Sequence, residues 1–236
     1  MNDAVQETVI GGAWIFLGSL STSLGGFVFW LVIARLAGAE ALGIASAVVS
    51  CSGIAVTFIS AGLGIAIMRE VAVRGLNALV TSTVLALIMG IGAAFLAAFL
   101  AHGLGYLDLI GIAFFLALAN TISTPLLSGL LGLERFRGYF AASFAGSLAK
   151  VLFGIALAVL GFKVLAPLLG YLAYPIVAAM AAVALITRVP RAGKIKLDLG
   201  GLKSLVSLTY SNHPYMFSNQ RCFQYLPGSS RLRGWL

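Results

Sequence analysis

Charge is what this chain has least of. Across 236 residues only 9% are Asp, Glu, Lys or Arg, while 61% are hydrophobic and the mean hydropathy is +1.05. A soluble domain needs a largely polar surface, so this composition excludes one. Acidic residues are the scarcest: Asp3, Glu7, Glu40, Glu70, Asp108, Glu134 and Asp198, all placed by the apolar pattern at helix ends or in loops. Paired carboxylates for acid–base work and a DxxD-type cation site are missing, as is a GxxxxGK phosphate loop. Cysteine is limited to Cys51 and Cys222, too few for a disulfide framework. The two histidines, His102 and His213, fall on opposite sides of the expected membrane, so no histidine cluster holds a metal. These residues point away from an enzyme and call for no cofactor.

What the chain does have is long uncharged runs. They cover residues 8–34, 41–68, 75–107, 109–133 and 164–187. Each exceeds the ~20 residues that cross ~30 Å of hydrocarbon at ~1.5 Å per residue. A sixth run, residues 138–162, carries a single charge, Lys150, near its centre. The halves on either side of that lysine are too short to span alone. Six crossings from an inside N-terminus put Arg69, Arg74, Arg135, Arg137, Arg188, Arg191, Lys194, Lys196 and Lys203 inside, and only Arg35 and Lys163 outside. Removing the fifth crossing would move the Arg188–Lys203 cluster outside and dissolve this bias, so the fifth segment is expected to cross. The formal +8 charge is thereby a topology signal, and nucleic acid is not an expected partner. Asp3 and Glu7 stand where a basic signal-peptide region would be, so the first run reads as a retained span.

The expected architecture is all-α: a polytopic membrane bundle of about six helices, near residues 9–34, 42–68, 78–101, 109–131, 141–162 and 164–186. Short connections make successive helices antiparallel neighbours. The chain divides into a bundle over 1–187, a basic connection with an amphipathic Leu202–Thr209 segment over 188–209, and an irregular or frame-shifted tail over 210–236. Small residues four apart in helix 1, Ser21/Gly25 and Thr22/Gly26, allow close helix approach, and ordinary packing accounts for them. Pro125 and Pro175 lie inside expected helices and free the carbonyls of Thr121 and Tyr171, which makes both positions candidate hinges or simple structural kinks.

Lys150 is the sharpest signal. Its ammonium lies roughly 15 Å from either surface by the helical rise, farther than its side chain of about 6 Å can snorkel. A charge there costs at least ~2.5–3.5 kcal/mol unless it faces a polar interior. Two readings stay open: an electropositive spot for an anionic substrate, and a lysine satisfied by carbonyls such as those freed at Thr121 or Tyr171, or kept neutral. Asn120 and Tyr171, beside the two prolines, join Lys150 as candidate substrate contacts.

Several stretches resemble the polysaccharide biosynthesis/export proteins, the oligosaccharide flippases of the multidrug/oligosaccharidyl-lipid/polysaccharide exporter superfamily. They are Ala34-Arg35-Leu36-Ala37-Gly38-Ala39-Glu40-Ala41-Leu42-Gly43, Ser60-Ala61-Gly62-Leu63-Gly64-Ile65-Ala66-Ile67-Met68-Arg69-Glu70, and Gly132-Leu133-Glu134-Arg135-Phe136-Arg137-Gly138-Tyr139. Lys150 matches a position where such proteins often carry a basic residue. The resemblance implies one lobe of a two-lobed transporter in the cytoplasmic membrane, both termini inside. It also implies an anionic lipid-linked sugar as substrate, and a second half encoded downstream or a homodimer. The rivals are a multidrug or cation antiporter of the same superfamily, a non-transporting membrane scaffold, and an inactive truncated remnant.

Overall fold

Backbone N–H and C=O groups in hydrocarbon find no water, so a spanning segment must bond them within itself. The computed structural model describes residues 3–188, and among them the chain forms helices and no strand. These are α1 (Asp3–Ala37), α2 (Ala39–Ser60), α3 (Leu63–Arg74), α4 (Leu76–Gly103), α5 (Ile110–Gly132), α6 (Phe136–Val159) and α7 (Leu165–Ile186). All but α3 are long and apolar enough to span a membrane, which makes six candidate crossings. The shortest, α2 and α7, have 22 residues each and reach about 33 Å at the helical rise. Large apolar side chains cover the outside: Phe16, Phe58, Phe95, Phe99 and Met180 are 64–71% exposed. Lipid tails are as apolar as these side chains, so the outside can stay bare and the interior is set by close packing.

Small residues make that packing possible. Ala45, Val48 and Ala55 of α2 meet Ala93, Ala94, Ala97 and Ala101 of α4 and Ala113 and Ala117 of α5. Ser52 ties the same region together by donating to the Ala113 carbonyl at 3.1 Å.

The structure departs from the sequence expectation in two places. The span expected over 42–68 is broken after Ser60, and a separate helix, α3, starts at Leu63. Gly62 causes the break: its φ of 81° is left-handed, a conformation that costs a residue with a Cβ. Arg69, Glu70 and Arg74 therefore lie on α3 rather than in a loop, and Glu70 is buried, with Oε2 3.5 Å from Arg74 Nε. The second departure is that neighbours in sequence are not always neighbours in space. α1 packs chiefly on α6 and touches α2 only lightly. Beyond Arg188, the basic connection at 188–209, with its Leu202–Thr209 segment, and the 210–236 tail lie outside the described residues.

The α1–α6–α7 junction depends on two glycines. A Cβ at Gly154 of α6 would overlap the Phe29 ring of α1, and one at Gly170 of α7 would come within 2.8 Å of the Gly154 Cα. Phe29 is fully buried there. Overpacking of a tight core costs about 1–3 kcal/mol. Gly154→Val is therefore expected to lower the thermal unfolding midpoint of the purified protein in detergent. Gly12→Val, at a position with nothing within 4 Å, is expected to leave it unchanged.

Candidate functional site

One face of α6 carries Ser143, Gly146, Ser147, Lys150 and Gly154, all buried. The three- and four-residue steps between them put them in one stripe of the helix. Glycine at 146 and 154 brings α7 and α1 close: a Cβ at Gly146 would stand 2.9 Å from the Tyr174 carbonyl. Lys150 sits between these approaches, only 6% exposed.

Its ammonium is held over aromatic faces. Nζ lies 5.2 Å from the Tyr171 ring centre, 5.6 Å from that of Tyr174 and 5.8 Å from that of Phe29. The rings support one another, with Phe29 and Trp30 edge to face at 5.4 Å and Tyr171 6.1 Å from Trp30. Gly26 leaves room on α1, since a Cβ there would lie 3.7 Å from Nζ. Each contact of a cation with a ring face is worth about 0.5–1 kcal/mol when exposed and about 2 when desolvated. Three such contacts match the ~2.5–3.5 kcal/mol cost of a lysine at mid-membrane. Lys150 forms no ion pair with a carboxylate among the described residues, so the rings take the place of a counter-ion there.

The same seam carries hydroxyls. Ser147 is buried and makes no hydrogen bond within the chain, and the Ser21 hydroxyl on α1 is likewise unpartnered. A Cβ at Gly25 would meet the Ser147 Cβ at 3.1 Å, so α1 and α6 are in tight contact beside these groups. Ser143 lies beside the Tyr174 hydroxyl. Polar groups without partners in a low-dielectric interior cost about 1–3 kcal/mol each, a cost that falls when the seam admits water or a polar ligand.

Of the residues singled out in the sequence, Lys150 and Tyr171 come together. Tyr171 contributes its ring to the ammonium. Asn120 is engaged on its own helix, where Nδ2 donates to the Leu116 carbonyl at 2.8 Å. The carbonyl of Asn120 accepts from Ser123 Oγ at 2.8 Å and Thr124 Oγ1 at 3.0 Å. Such back-bonding favours bending just ahead of Pro125. Pro125 and Pro175 are both buried inside helices that continue through them. The sequence reading missed Phe29, Tyr174 and Ser147. Tyr174 had a usable signal, its three-residue spacing from Tyr171.

Helices, spans and a cationic spot inside the bundle define a multi-pass membrane protein built around a polar interior site. The chain matches the family described as polysaccharide biosynthesis protein over residues 9–219, and it belongs to that family. The match takes in all six spans and continues past Tyr210. No curated protein and no solved structure matches the chain.

If the rings hold the charge, removing a ring and removing the charge are coupled. A double-mutant cycle of Lys150→Met and Tyr171→Leu, read by reversible unfolding in mixed micelles, is expected to give a coupling energy of about 1 kcal/mol. Strict additivity of the two substitutions would separate the lysine from the ring.

Proposed function

We propose that this chain is a transporter lobe of the flippase type, moving an anionic lipid-linked oligosaccharide or polysaccharide precursor across the cytoplasmic membrane with both termini inside. The observation that carries the reading is Lys150: a lysine buried at mid-span, with its Nζ over aromatic rings and without a carboxylate partner among the described residues. A ring face binds an ammonium more weakly than a phosphate oxygen does, because the anion adds a full charge and charge-assisted hydrogen bonds. A phosphate-bearing headgroup entering the α1–α6 seam would draw Nζ off the rings and meet the hydroxyls of Ser21 and Ser147 on the way. Binding would then favour the open seam over the closed one, the differential affinity that any ligand-driven change of state requires. Sites at mid-membrane between moving bundles are the general pattern for such transporters. A second lobe, from a second copy or another chain, closes the far side of the cavity in this account. Membership in the polysaccharide biosynthesis family supports the substrate class.

A cation-exporting antiporter is disfavoured by the same residue, since a buried ammonium repels a cationic drug. Glu70, the buried carboxylate of α3, already stands beside Arg74. The reading assigns the chain no catalytic chemistry.

Lys150→Met keeps the bulk of the side chain and removes its charge. In proteoliposomes this variant is expected to insert as well as the wild type and to lose at least about tenfold in the translocation of a fluorescent lipid-diphosphate-linked oligosaccharide. An ion pair with a desolvated phosphate is worth enough for that factor. Lys150→Arg is expected to retain part of the rate. Full transport by the methionine variant would overturn the electrostatic role.

A further inference from the structure

We infer a second anion site, separate from Lys150: a seat for the phosphate headgroup of an anionic lipid at the arginine-rich end of the bundle. An open cleft of about 500 Å³ lies there between the start of α1, the α5–α6 turn and the end of α7. Arg135 and Arg137 line it together with Ile10, Trp14, Phe136 and Leu185. Among the described residues, its lining carries two guanidinium groups against one carboxylate, that of Glu134.

Both arginines are exposed, and each makes one contact with the wall of the cleft. The Arg137 guanidinium lies 5.4 Å over the Trp14 ring. Arg135 Nη1 donates to the Leu185 carbonyl at 3.4 Å. Each contact uses one face or one N–H, and a guanidinium has five N–H donors in a planar fork suited to phosphate oxygens. A donor set fixed before the ligand arrives loses less entropy on binding. The turn between α5 and α6 sets this geometry. Glu134 adopts a left-handed φ of 57°, and Arg135, donating its N–H to Leu130 at 2.8 Å, then starts α6 with no side chain capping the first turn. The N–H groups of that first turn have no intrahelical acceptor, and Phe136, Arg137 and Gly138, which carry them, wall the cleft.

The apolar half of the lining selects a lipid over free phosphate. Ile10, Phe136 and Leu185 adjoin the arginines, and Ile10 is 45% exposed beside the bare apolar surface of Val9. Trp14 packs on Phe140 at 5.4 Å, a rigid aromatic shelf of the kind that sits at headgroup level. A cleft lined by two arginines and adjoining the exposed apolar residues Val9 and Ile10 of α1 fits a headgroup phosphate with its chains lying along the helix. α1 and α6 are in close contact at this end, since a Cβ at Gly11 would meet the Phe136 ring at 2.8 Å.

The full chain in detergent is titrated calorimetrically with dioctanoyl phosphatidic acid, dioctanoyl phosphatidylcholine and sodium pyrophosphate. Saturable binding of the phosphatidic acid is expected, with both other probes at least tenfold weaker. Arg135→Gln and Arg137→Gln are each expected to weaken phosphatidic acid binding about tenfold. Arg137→Lys, which keeps the charge, is expected to recover part of it and guards against a folding defect in the glutamine variant. Lys150→Met is expected to bind like the wild type, so failure of the flippase reading leaves this result standing. Equal binding of phosphatidylcholine, or unchanged binding by both glutamine variants, overturns the site. Pyrophosphate binding as tightly as phosphatidic acid overturns the lipid as its occupant.

Discussion

The arrangement of this bundle follows from one constraint: an ammonium at mid-membrane must be paired or screened. Lys150 is screened by π faces. Phe29 comes from α1, while Tyr171 and Tyr174 come from α7, so the three helices must converge on one level of α6. Gly146 and Gly154 permit this convergence by removing the side chains that would hold α7 and α1 away. The pairing of α1 with α6, distant in sequence, serves the same end. A methyl group added at any of these glycines acts on the lysine's environment as well as on packing.

Screening by rings suits the proposed transport role. An ion pair within the bundle would hold the charge against any incoming anion, because displacing it leaves a buried carboxylate alone. Ring faces carry no net charge and can be left without such a penalty. The unpartnered hydroxyls of Ser21 on α1 and Ser147 on α6 would also gain from a polar ligand in the seam.

Most of the fold was legible in the sequence because apolar length is a strong signal. All six spans and the lone charge of the fifth could be counted from uncharged intervals. The limits of those intervals misplaced helix ends, since a helix continues past a charge that reaches the surface: α6 starts at Phe136, with Arg137 in its first turn, rather than near residue 141. Averaging over an apolar window also hid the break at Gly62, although two glycines in Ala61-Gly62-Leu63-Gly64 marked it. The site was only half legible. Lys150 stood out alone, and Tyr171 was reached through its proline. Phe29 and Tyr174 were not found because a single sequence does not say which distant helix faces α6, and a phenylalanine in an apolar run looks like lipid-facing surface. Asn120 was polar and mid-span, yet its amide turned back onto its own helix.

The central claim is that a positive charge at position 150 is what the moving seam presents to its substrate. It is tested most directly by taking that charge away and putting it back. In a background with Cys51 and Cys222 replaced by alanine, Lys150→Cys is treated in proteoliposomes with a thiol-reactive aminoethyl reagent, which attaches an ammonium, or with a sulfonatoethyl reagent of similar size. The account predicts that Lys150→Cys transports a fluorescent lipid-diphosphate-linked oligosaccharide poorly, that aminoethylation restores transport, and that the sulfonate does not. Full transport by the untreated cysteine variant, or equal rescue by both reagents, would contradict it.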